Sequence, residues 1–86
     1  MTGLSPPQQA LNHLAKGGLQ VGPDWERAHA ICQTAEGDRA HDLVHALCHW
    51  IEGDLPNRDY WYRRAGRHGP AATIGAEWQA LKATLT

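Results

Sequence analysis

The stretch HDLVHALCHWIEGD, residues 41–54, carries histidines at 41, 45 and 49. Four residues make just over one turn of an α-helix, so on a helix the three rings line one stripe. Two histidines four apart can chelate one ion, and a third imidazole from another helix completes a three-ligand metal site. His29, in the preceding segment WERAHA, is placed to supply it. Glu52 lies close to one turn beyond His49 and is a candidate fourth ligand, or a carboxylate that orients a ring from behind. A cysteine nucleophile is the other chemistry to weigh. Cys48 adjoins His49, but neighbours on a helix point about 100° apart. A reactive thiol also needs exposure and an electropositive setting. The aromatics Trp25, Tyr60, Trp61, Tyr62 and Trp78 could line a ligand pocket. In a chain without phenylalanine they are first of all the bulk of the core.

The elements that must position these residues read as helices. Valine occurs only at 21 and 44, no segment alternates for long, and no hairpin dipeptide separates apolar runs. Helix punctuation is dense. Ser5 is a candidate N-cap with Pro6 at the first helical position and Gln8 three residues on. Asp24, Asp38 and Asp54 are candidate caps for the next three helices, and Gly17, Gly37, Gly53 and Gly66 or Gly69 are candidate stops. Five helices are expected, at 5–16, 24–36, 39–52, 55–66 and 71–85. The fold class is all-α, built of antiparallel helical hairpins in one domain of residues 1–86. The link GGLQVGP, at 17–23, could leave the first helix loosely attached.

On the third helix, Ala40, Leu43, Val44, Leu47 and Ile51 fall in one arc of about 100°. The histidines lie beside that arc, so His45 is expected to be buried. The two short turns set heights. A turn centred between Gly37 and Asp38 puts His29 within one helical turn of His45 and His49. A turn centred on Gly53 puts His49 level with Asn57, and His45 level with Trp61. The sequence therefore stacks His29, His45, His49, Asn57 and Trp61 at one height. The same counting sets Cys32 and Cys48 about 7.5 Å apart along the axis, beyond the reach of a disulfide. Two free, buried thiols are expected. Tyr60 and Tyr62 point to different sides of the fourth helix, so one of them should meet solvent or a partner.

Charge and composition narrow the function classes. Eight basic residues stand against nine acidic ones, for a net charge of −1. That balance disfavours nucleic acid as a partner. The one basic cluster, Arg58, Arg63, Arg64, Arg67 and His68, reads first as a solvated face. The start MTGLSPPQQALNHL has no basic region followed by an apolar run. No stretch approaches the roughly 20 apolar residues of a membrane span. A reduced, cytoplasmic protein with no membrane segment is expected.

The segment EGDLPNRDYWYRRAGRHGPAATIGAEWQAL resembles the second helix and following turn of Sel-like and other tetratricopeptide-type repeats. The matching residues are Gly53, Asp54, Trp61, Tyr62, Ala65, Gly69 and Ala72; Arg58 departs from the small alanine usual there. No second copy follows at a fixed period, so the chain is not a repeat array. DWERAHAICQ, HALCHWIEGDLPNRDYWYRRAGR and AEWQAL together resemble a group of small, uncharacterised bacterial proteins. That group shares Trp-x-x-Ala-His, His-x-x-x-His-x-x-Glu-Gly-Asp and Tyr-Trp-Tyr-x-Arg-Ala-Gly. The resemblance implies a helical fold and supplies no function. It omits His41, which reduces the triple stripe to His45 and His49 with His29.

Two readings follow. The first is a small tetratricopeptide-like domain that binds a protein or a small molecule, with no cofactor, and that a homo-oligomer would suit. Its ligand-binding candidates are His29, His45, His49, Glu52, Asn57, Tyr60 and Trp61. The alternative is a metal-binding protein or small enzyme holding a divalent metal on His29, His45 and His49. Sequence alone does not decide whether a reaction is catalysed.

Overall fold

The computed structural model describes residues 3–85. It is all-helical: α1 (Pro6–Lys16), α2 (Pro23–Gln33), α3 (Arg39–Ile51), α4 (Leu55–Ala65) and α5 (Ile74–Leu85). No strand occurs among the described residues. None of the helices is long and apolar enough to cross a membrane.

The caps explain most of the boundaries. Ser5 and Gln8 form a reciprocal capping box, with Gln8 N donating to Ser5 Oγ and Ser5 N donating to Gln8 Oε1. Asp38 accepts from His41 N at 3.1 Å, and Asp54 accepts from Asn57 N at 3.4 Å. Each such cap contributes about 1 kcal/mol. Gly66 ends α4 in the left-handed conformation at φ 71°, where a side chain would be strained.

Three expectations are corrected. Asp24 does not cap α2. Gly22 holds the N-cap position and Pro23 opens the helix, leaving Asp24 in the first turn. There its charge favours the helix dipole and faces Arg27 and His13. α2 stops at Gln33 rather than 36, where Thr34 N and Ala35 N tighten to i−3 bonds with Ile31 O and Cys32 O. α5 begins at Ile74 rather than 71, with Thr73 Oγ1 accepting from Ala76 N.

α3 is the centre of the domain. It packs against all four other helices, and every residue from His41 to Cys48 is buried. Leu43, Val44, Leu47 and Cys48 meet Leu11 and Leu14 of α1, Cys32 of α2, Trp61 and Tyr62 of α4, and Leu81 of α5 in one core. Where the sequence suggests a loosely attached first helix, α1 buries Ala10, Leu11 and Leu14. Its middle and first turn are tied to α5 by Trp78 Nε1 donating to Leu11 O at 2.8 Å and Gln8 Nε2 donating to Leu85 O at 2.6 Å.

A buried ion pair locks the last connection. Arg67 donates from Nε and Nη2 to the two oxygens of Glu77 at 2.6 and 2.7 Å, and Ala71 N donates to the same carboxylate. Glu77 has no exposure at all. Burial opposes its ionisation, but Arg67 and the Ala71 amide outweigh it and hold the carboxyl below its ordinary range.

Candidate metal centre

α2 and α3 bring His29, His45 and His49 together. Each offers a ring nitrogen, and the three atoms lie within 4.8 Å of one another. His29 Nε2 and His45 Nε2 are 3.1 Å apart in a hydrogen bond. The ring centroids of His29 lie 4.7 Å from His45 and 5.2 Å from His49, both edge-on. The i, i+4 pair His45 and His49 stacks at 4.9 Å.

Each ring is held by a different neighbour. Trp25, one turn before His29 on α2, stacks on it at 4.9 Å and 7°, and its own Nε1 donates to Cys48 O at 2.8 Å. Trp61 of α4 stacks on His45 at 4.0 Å, at the height the turn counting predicts. Glu52 accepts from His49 Nδ1 at 2.6 Å. That bond fixes the tautomer of His49 and leaves Nε2 with a free lone pair.

Burial is graded across the cluster. His45 is only 2% exposed, the least of the described histidines, while His29 and His49 are partly exposed. Desolvation, then repulsion from His29 and His49, lowers the His45 pKa to about 3. Desolvation, then His49, lowers that of His29 despite the opposing pull of Glu52 and Glu36. Neutral imidazoles are the ligating form, and these two rings are neutral at physiological pH. His45 Nδ1 is buried without a hydrogen-bond partner.

The other expected residues fall nearby in different roles. His49, Glu52 and Asp54 form a second, more exposed group with ligand atoms within 4.8 Å. Asn57 bonds Asp54 through Nδ2 at 2.7 Å. Tyr60 is 42% exposed, packs edge-on against Trp61 and accepts from Arg64 Nη1, whereas Tyr62 is 3% exposed. The tyrosines thus divide between solvent and core as their helix positions require. His41 is separate: its Nδ1 and backbone N both bond the capping carboxylate of Asp38.

Both thiols are free and buried. Cys32 lies close enough to Cys48 for one thiol to perturb the other. The turn between α2 and α3 spans 34–38, longer than the turn at 37–38 that the spacing suggests. The Cys32 contact, then burial, pushes the Cys48 thiol up. That is opposite to what an activated nucleophile needs.

Two features escape simple sequence counting. The Trp25–His29 stack was visible only as an aromatic and a histidine four apart on α2. The Arg67–Glu77 pair had no signal, since its partners meet across an irregular connection. Comparison with protein-family models, with curated proteins and with solved structures finds no match.

Proposed function

We propose that this protein binds a divalent transition metal of the zinc class through His29, His45 and His49, with Glu52 supporting His49 from the second side of its ring. The observation that carries this reading is the convergence of three ring nitrogens within 4.8 Å. Two imidazole nitrogens bound to one tetrahedral zinc at about 2.0–2.1 Å lie about 3.4 Å apart. His29 and His45 stand at 3.1 Å, so metal entry requires only small ring movements. The Glu52–His49 bond has the carboxylate–histidine arrangement that orients metal-bound imidazoles. Three protein ligands leave one position for water or an exogenous ligand. Two free thiols fit a reducing compartment such as the cytoplasm. The reading as a tetratricopeptide-like partner-binding module rests on helix packing alone, which unrelated functions share.

Thermal unfolding with zinc and with a chelator tests the proposal. A ligand that binds only the native state at 100 times its Kd adds about 2.7 kcal/mol to unfolding. The melting temperature should rise with zinc in the parent protein and not in His45→Ala. Equal melting in zinc and chelator would overturn the reading.

A further inference from the structure

A second candidate site runs along α4 from Arg58 into the connection that follows it. A recess of about 310 Å³ opens there, lined by Arg58, Asp59, Tyr62, Arg63, Arg67 and His68 among others. Its volume is at the lower end for small-ligand pockets. Two of its arginines are fixed before any ligand arrives. Glu77 grips Arg67 through Nε and Nη2, and Asp59 grips Arg58 through Nε and Nη2. No described hydrogen bond uses Nη1 of either. The ring of Trp50 lies 4.9 Å from the Arg58 guanidinium and restricts it further. Arg63 and His68 are exposed and have no acidic partner among the described contacts. Asp59 balances Arg58 and Glu77 balances Arg67, so the recess keeps the charge of Arg63 and, when protonated, of His68.

We propose that this recess binds the phosphoryl group of a small phosphorylated ligand, with Arg67 and Arg58 as pre-oriented donors and Arg63 as the uncompensated charge. Forked guanidinium groups match the oxygens of a phosphate, and holding one edge against a carboxylate lowers the ordering cost of the other. Basic side chains near the end of α4 also complement the helix dipole. That accounts for Arg63 and Arg64 on the last turn, and not for a concave wall built from both sides of Gly66. The ligand is small because the chain as a whole carries a net charge of −1, unlike a polyanion-binding surface.

The test is a phosphate titration of the chelator-treated full chain, followed by amide and arginine side-chain NMR shifts at constant ionic strength. Inorganic phosphate and a simple phosphate monoester are the two probes, with chloride and acetate as controls. Shifts at residues 58–70 should saturate with phosphate or with the monoester. Saturation with inorganic phosphate points to the free ion as sufficient, whereas saturation with the monoester alone points to a larger phosphorylated ligand. Arg63→Ala, an exposed substitution, should weaken binding about tenfold, the loss of roughly one hydrogen bond to a charged group. Arg27→Ala, of equal charge change on α2, should leave it unaltered. Linear shifts reproduced by chloride, or equal weakening by Arg27→Ala, would overturn the proposal.

Discussion

His29 Nε2 and His45 Nε2 meet at 3.1 Å across the α2–α3 interface, while His45 Nδ1 is buried with no partner. A neutral imidazole has one donor and one acceptor, so this pair leaves His45 one ring nitrogen short. An ion between the rings would bind both Nε2 lone pairs and would leave the Nδ1 atoms as donors.

In the metal-free protein this arrangement makes stability depend on acid. The folded pKa of His45 is about 3, against an unfolded value of about 6.5. Between those values the unfolded chain binds more protons, so stability falls as pH drops below about 6.5 and continues to fall toward 3. The groups facing the ring are His29 and His49, with the Trp61 ring on its other side. Urea unfolding of chelated protein at several pH values should show the decline. His45→Ala should flatten it, and His68→Ala, at an exposed position, should not.

Glu52→Gln keeps the shape of the side chain and removes its charge. The substitution should lower metal affinity about 10–100-fold, the usual effect of losing a carboxylate behind a ligating histidine. Glu52 is exposed, so stability of the metal-free protein should change little. Competition against a chromophoric chelator measures the first effect, and a chelated melt measures the second.

Trp61 covers His45 and packs into the core between α3 and α4. Trp61→Ala should cost about 3–5 kcal/mol by denaturant titration. It should also raise the His45 pKa toward its ordinary value, because the substitution admits water to the ring. A stability change within a few tenths of a kcal/mol would contradict the packing.

The Arg67–Glu77 pair joins the irregular segment after α4 to α5. Glu77→Ala leaves Arg67 and the Ala71 amide without their acceptor and should destabilise by about 3 kcal/mol. A cost below about 1 kcal/mol would mean that the pair behaves as an exposed ion pair.

The helical class, the caps at Ser5, Asp38 and Asp54, and the burial of His45 were all legible from residue type and spacing. Two short turns were enough to place Trp61 beside His45. What counting missed depends on connections that do not follow the helical rise. The turn at 34–38 is longer than the spacing suggests, and the irregular stretch after Gly66 delivers Arg67 to Glu77. Nor does spacing fix which groups bond. Asn57 stands at the right height yet bonds Asp54, while Trp25, outside the expected stack, holds the His29 ring.

The central claim is that three imidazoles hold one ion, and ring-nitrogen NMR reads it directly. Long-range 1H–15N correlation spectra should be recorded without metal and with one equivalent of zinc. Nε2 of His29, His45 and His49 should move together to metal-bound positions and saturate at one zinc per chain. His13, His41 and His68 should stay in place. Rings of the cluster that do not move, or a response led by His13 or His68, would contradict the account.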